Sequence, residues 1–228
     1  METLQRTEPV RKLFVVGGNL ALDFANTVDD PDGPARFDHL GDLPGLLGWA
    51  QERGLLSSSD QARLTSAAQS PLEENSRQLQ RAHDLRAAVQ AVFGAVADGG
   101  DVPQAAWAHL RHEAAEALGQ AQLELTDGLA RLRWADSGTE VVARAVAHAA
   151  YELLRSDQLA RVKRCAGCPW LYVDQSKNAS RRWCTMEDCG KNAKMRRYVE
   201  RRSARRAAAA SRTFEGQPET AGPSHGSS

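Results

Sequence analysis

At 228 residues, 42% hydrophobic and 25% charged, the chain can fill one sizeable core and an appendage, and no stretch approaches the roughly 18 apolar residues of a membrane span. The opening METLQRTEPVRK has no apolar run behind its charges, so neither a secretory signal nor an anchor is expected, and the protein is read as soluble and cytoplasmic. Its 29 basic and 29 acidic residues cancel, yet between Arg161 and Arg212 there are 15 basic and 4 acidic residues, a local net charge of +11 that leaves −11 on the rest.

Such asymmetry points to a module that meets a polyanion, mounted on an acidic carrier. The carrier is expected to be mainly helical. LFVVGGNLALDFANTV begins as an extended apolar stub, turns at Gly17 and Gly18, and enters a short apolar helix from about Asn19. Pro31, Gly33 and Pro34 mark a loop. Asp42 caps a helix with Pro44 in its first turn and Leu43, Leu46, Leu47 and Ala50 on one face, ending at Gly54. A further helix follows SSSD at 57–60. From Pro71 a long helix is predicted, because Leu85, Val89, Val92, Phe93 and Val96 repeat at helical spacing until Asp98-Gly99-Gly100 stops it.

Another helix runs from about Pro103 to Gly119. The period then changes: Leu123 and Leu125 alternate with polar residues around Thr126-Asp127-Gly128, which predicts a β-hairpin. A last carrier helix spans about Thr139 to Arg155. Residues 1–156 therefore read as one mainly helical domain, 157–212 as the basic module, and 213–228, rich in Gly, Pro, Ser and Thr, as a disordered tail. The fold class expected is mainly α with a β-hairpin, that is α+β.

All four cysteines lie in the basic module, as C-x2-C-x15-C-x4-C. Two residues between ligands let a tight turn aim both sulfurs at one point, and two such pairs complete the tetrahedron that zinc accepts. Cys165, Cys168, Cys184 and Cys189 are thus predicted to hold one structural zinc ion per chain; a redox pair with two idle thiols, or an iron-sulfur cluster, are the alternatives. Four sulfur ligands leave no open position, so such a site builds structure and catalyses nothing. WLYVDQS has β character and GKNAKMRRYVERRSARRAAAA is helix-prone, so knuckle, hairpin and helix suggest a treble-clef-like finger. Trp170 and Trp183, with Tyr198 and Val199 on the inner face of the helix, are expected to supply its small core. Lys163, Arg164, Arg181 and Arg182 are expected to moderate the negative charge of four thiolates.

On that helix Lys194, Arg197, Arg201 and Arg205 recur at three and four residues, on one face, and Arg196, Arg202 and Arg206 broaden the stripe. Between Lys191 and Arg212 only Glu200 is acidic, which favours nucleic acid over a merely solvated face. Lys191 and Asn192 stand at the helix start, where side chains can read base edges.

RWCTMEDCGKNAKMRRYVERR with the CAGCPWLYVD knuckle resembles the CGNR zinc finger found at the C-terminus of bacterial proteins classed as stress-induced transcription regulators. FVVGGNLALDFANTV and HLGDLPGLLGWAQERGLL resemble the ABATE domain that accompanies it. Where that finger's motif reads Cys-Gly-Asn-Arg, this chain has Cys189-Gly190-Lys191-Asn192, so the ligand and the glycine match. The resemblance implies a bacterial regulator that binds DNA through the finger, with the first domain sensing an effector or oligomerising. The alternative is a finger that grips RNA or an acidic protein.

In the first domain Asn19, Asp23 and Asn26 form a polar stripe on an apolar helix, either hydrogen-bonding neighbouring loops or lining a pocket for a small polar effector. No nucleophile, base or cofactor loop assembles: VVGGNLALDF lacks both glycine-rich phosphate patterns, and after His112-Glu113-Ala-Ala the metalloprotease pattern's second histidine is replaced by Glu116, so the helix around His109 and His112 is expected to be a surface helix. No catalytic activity is expected.

Overall fold

Local capping chemistry sets the helix limits. In a computed structural model that describes residue 13 and residues 15–30, 33–67, 72–134 and 138–215, the side-chain oxygen of Asn19 accepts the N–H of Ala21 and starts α1 (Leu20–Ala25). Asp42 does the same for Gly45 at 2.8 Å and starts α2 (Leu43–Glu52), which stops where Gly54 adopts φ +71°, a conformation that glycine reaches without strain. Between them Val28–Asp29 (β1) and Phe37–Asp38 (β2) make a two-residue antiparallel ladder. α3 (Ser58–Ala67) and the long α4 (Leu72–Asp98) follow, and Gly99 at φ +65° closes α4.

α5 (Gln104–Gly119) leads into a hairpin of β3 (Gln122–Thr126) and β4 (Leu129–Arg133). Asp127 and Gly128 both have positive φ at its tip, the conformation whose twist suits a two-residue hairpin. α6 (Glu140–Leu154) and a 3-10 turn (Asp157–Arg161) connect to β5 (Val162–Arg164) and β6 (Leu171–Val173); a π-turn (Met186–Gly190) then feeds α7 (Lys191–Glu215). The helices and short antiparallel strand pairs make an α+β fold, as the sequence patterns imply.

α4 is the axis of the core. Leu85, Val89, Val92 and Phe93 are buried against α1, α2, α5 and α6 through Leu22, Phe24, Leu47, Leu110, Val146 and others. The periodicity that predicted α4 is therefore the packing stripe itself. Polar ties fasten the helices. Glu113, 5% exposed, accepts a two-pronged contact from Arg81 across α4 and α5, and Arg86 binds both oxygens of Asp38 at 2.6 and 2.7 Å while reaching the Thr27 hydroxyl. Burial alone would raise the Asp38 carboxyl, but Arg86 and the Leu40 N–H hold it below its ordinary value.

β1, β2 and β5 have no counterpart among the sequence patterns, because strands two or three residues long carry no readable alternation. Val15 and Val16, before Gly17, belong to no strand, and the Gly17 carbonyl accepts the N–H of Val173 at 2.8 Å. Pro31, Pro71 and the first twelve residues lie outside the described residues; of the tail expected over 213–228, residues 213–215 belong instead to the end of α7 and 216–228 lie outside the described residues.

Candidate metal centre and basic helix

The knuckle is the turn of the β5–β6 hairpin. β5 pairs with β6 from Val162 opposite Val173 to Arg164 opposite Leu171, and Cys165 to Cys168 make the loop between them, closed by the Cys165 N–H on the Trp170 carbonyl at 2.9 Å. A second crossing, Ala166 N–H to Arg182 O at 2.9 Å, brings the distant pair of cysteines alongside. Thr185 then caps the π-turn that carries Cys189, accepting the Asp188 N–H.

These local devices converge four sulfurs. All lie within 4.8 Å of one another, with Cys168 to Cys184 and Cys184 to Cys189 at 3.6 Å. A tetrahedron of Zn–S bonds near 2.3 Å has S···S edges of about 3.8 Å, whereas a disulfide would need about 2.05 Å. The four free cysteines therefore fit one zinc ion and form no disulfide. Cys165 is held well below the ordinary thiol range, first by the thiols of Cys168 and Cys184 and then by the N–H groups of Cys184 and Gly167, at 3.2 and 3.4 Å. Gly167 is tightly packed: a Cβ there would stand 3.1 Å from the Cys189 Cβ and 3.3 Å from its sulfur, so that ligand would have to give way by a fraction of an ångström.

Cys165, Tyr172 and Cys184 are the buried centre of a small second core, with Trp170, Trp183 and Val16 packed around it. Tyr198 and Val199 are not part of it. They are 52% and 54% exposed, because α7 leaves the finger rather than folding back on it, and among 191–206 only Ala193 is buried. The expected charge compensation around zinc is also redistributed. Lys163 binds Asp174 at 2.7 Å, Arg164 binds Asp98 and the Pro169 carbonyl, and Arg181 stacks on Tyr172 while donating to the carbonyls of Trp183, Cys184 and Val16.

Asp174 is the organiser that sequence reasoning missed. Fully buried, it accepts the Lys163 ammonium, the Ser176 N–H and hydroxyl and the Arg181 N–H. Although burial would raise it, those donors hold its carboxyl far below the ordinary range. A carboxylate directly after an apolar strand gave no warning of this.

The finger is built onto the first domain. Val162, Leu171 and Val173 belong to the main core, Trp170 donates to the Val28 carbonyl at 2.9 Å, and Gln90 of α4 donates to the Pro169 carbonyl at 2.9 Å. Gly94 lets Arg164 cross α4 toward Asp98; a Cβ there would meet its guanidinium at 2.4 Å.

Of the polar stripe, Asn19 caps α1 and donates to the Ala149 carbonyl, Asp23 accepts the buried Gly17 N–H at 2.8 Å, and Asn26, 1% exposed, holds Leu171. Burial pushes the Asp23 carboxyl above its ordinary value despite the Gly17 N–H. Asn19 and Asp23 also border an open cleft with Gly18, Leu20, Glu52 and Arg53, whereas Asn26 does not.

The basic residues of α7 are placed differently from those of the hairpin. Lys191, Asn192, Lys194, Arg196, Arg197, Arg201 and Arg205 are all exposed, on a helix packed mainly on the π-turn. Arg197 and Arg201 hydrogen-bond back to helix carbonyls, and among the described side chains no ion pair within 4.0 Å engages a cation of residues 191–206.

The ABATE family model, whose description reads "Putative stress-induced transcription regulator", matches residues 18–157, more than half of the chain, and that of the CGNR zinc finger matches residues 161–202. No curated protein matches the chain.

Proposed function

The chain belongs to the ABATE family and carries a CGNR zinc finger, and on this basis we propose that it is a cytoplasmic transcription regulator that binds duplex DNA through α7. The observation that carries the reading is the projecting basic face: Lys194, Arg197, Arg201 and Arg205 are exposed, carry no carboxylate partner and stand on one side of a helix that the finger anchors only at its start. Such cations neutralise phosphates without regard to sequence, while Lys191 and Asn192, at the first turn, are the candidates for reading base edges.

Cys165 and Cys168 of the knuckle, with Cys184 and Cys189 at the π-turn, would hold a structural zinc ion, and through these four ligands the finger would fix the direction in which α7 leaves a body it otherwise scarcely touches. With four sulfurs in a closed set, no coordination position is left for substrate, which supports a binding role over catalysis. No helix among the described residues is long and apolar enough to cross a membrane.

For the first domain the hydrogen bonds favour a structural role for Asn19, Asp23 and Asn26, because each has a main-chain partner that would otherwise be buried without one or would leave a helix uncapped. Selection of bound sequences from a random duplex pool by the zinc-loaded full chain tests the reading. Enrichment of a common duplex motif supports it; preference for single-stranded RNA, or capture of acidic peptides without any duplex binding, moves the finger to its other class of partner.

A further inference from the structure

Helix α7 has a second face that DNA binding does not use. At about 100° per residue, Lys194, Arg197, Arg201 and Arg205 occupy an arc of about 80°, and Met195 and Val199 lie about 120° and about 160° around the helix from its centre. Both are more than half exposed, at 55% and 54%, although a helix with an apolar strip ordinarily buries it. Beyond them the strip continues to Arg202 and Arg206, and before them the π-turn exposes Glu187 and Asp188.

We propose that this strip is the seam of a dimer, in which α7 pairs antiparallel with α7 of a second copy of the chain. The charge order selects both occupant and direction. In a two-fold pairing centred at the level of Arg197, Met195 of each copy meets Val199 of the other. Asp188, nine residues before that level, then comes beside Arg206 of the other copy, nine residues after it. A parallel pairing would set Arg202 and Arg206 against their own equivalents. The strip is thus complementary to itself in one direction only, as an isologous contact requires. The basic arc stays outside the seam, so two copies would present phosphate-binding faces related by a two-fold axis, the symmetry of an inverted-repeat site.

The seam is narrow compared with the ~800 Å² per partner of a standard stable interface, and it joins two strongly cationic helices. The dimer is therefore weak and forms more readily as salt screens that repulsion, with a Debye length of about 10 Å at ~0.1 M and less above it. This is the opposite of the salt dependence expected for phosphate contacts, and the pairing does not depend on nucleic acid.

Sedimentation of the zinc-loaded full chain, without DNA, at rising concentration and at about 0.1 and 0.5 M salt, tests the proposal. The expected result is a concentration-dependent dimer that strengthens with salt. Met195→Glu with Val199→Glu should leave a monomer with unchanged zinc content and unfolding midpoint. Asp188→Arg should weaken the dimer, and adding Arg206→Asp should restore it. A chain monomeric to about 100 μM at both salts overturns the proposal, as does a dimer that survives Met195→Glu with Val199→Glu and is lost instead when Leu123 and Leu125, exposed on the β3–β4 hairpin, are made charged. A monomer that still binds duplex would overturn the seam and leave the regulator reading standing.

Discussion

Asn26 and Leu171 stand 145 positions apart and exchange a complete pair of hydrogen bonds, the Asn26 Nδ2 donating to the Leu171 carbonyl at 2.7 Å and the Leu171 N–H donating to the Asn26 Oδ1 at 2.9 Å. A side-chain amide thereby imitates a neighbouring strand on the open edge of β6. One helix of the first domain and one strand of the finger share a buried polar contact that neither can satisfy alone.

Asn26→Ala should leave both main-chain groups of Leu171 buried without partners. At about 1 to 3 kcal/mol each, the loss should total roughly 2 to 6 kcal/mol, read as a lowered midpoint in denaturant. Amide exchange should quicken in β6 before it does in α4. A midpoint within experimental scatter of wild type would show that water replaces the clasp.

Asp23 separates charge from hydrogen bonding. Its burial raises the carboxyl, so the ionised form is the strained one, and its contribution to stability is greatest below the ordinary carboxylate range and declines as pH rises through the raised native value. Asp23→Asn keeps an oxygen for the Gly17 N–H and should melt close to wild type at neutral pH. Asp23→Ala orphans that N–H and should cost about 1 to 3 kcal/mol. Equal, large losses in both variants would mean that the negative charge itself is needed.

Most of the helical frame was readable because caps and periodicity act locally: Asn19, Asp42, Gly54 and Gly99 each start or stop a helix using atoms within a few residues. The cysteine spacing was readable for the same reason. What escaped was decided at a distance. Asn26 gave no sign that its partner was Leu171, Arg164 none that Gly94 clears its path to Asp98, and Asp174 none that four donors converge on it. Tyr198 and Val199 were misassigned to the finger core because an apolar residue on an amphipathic helix looks the same whether its neighbour is in its own chain or elsewhere.

The Asp174 carboxyl is held below its ordinary value, so the unfolded chain binds a proton more readily than the native one. Its contribution is fully present above the ordinary carboxylate range, about pH 4, and is lost as pH falls from there toward the native value. Asp174→Asn should destabilise the chain by roughly 3 kcal/mol at neutral pH, because Lys163 loses its buried partner, and should flatten the acid limb of the stability profile. An acid limb identical to wild type would assign the sensitivity to other groups. Asp98, also lowered by Arg164, is half exposed and should contribute little.

Elemental analysis should find one zinc per chain, and Cys189→Ser should abolish it. Because Val162, Leu171 and Val173 lie in the main core, stripping the metal with a chelator should lower the unfolding midpoint of the whole chain by about 5 to 10 °C. A first domain that melts unchanged after zinc loss would mean that the hairpin stays docked without its ion. Iron in an anaerobically purified sample would replace zinc with a different chemistry.

The account stands most directly on the salt dependence of duplex DNA affinity, measured with the zinc-loaded full chain. If α7 meets about five to eight phosphates, log affinity should fall against log salt with a slope of roughly −4.5 to −7. Single replacement of Lys194, Arg197, Arg201 or Arg205 by alanine should reduce that slope by about 1, alike for every duplex, whereas replacing Lys191 or Asn192 should change preference between sequences. A duplex affinity indifferent to salt, or slopes untouched by all four replacements, would contradict the assignment of α7 as the DNA-binding element.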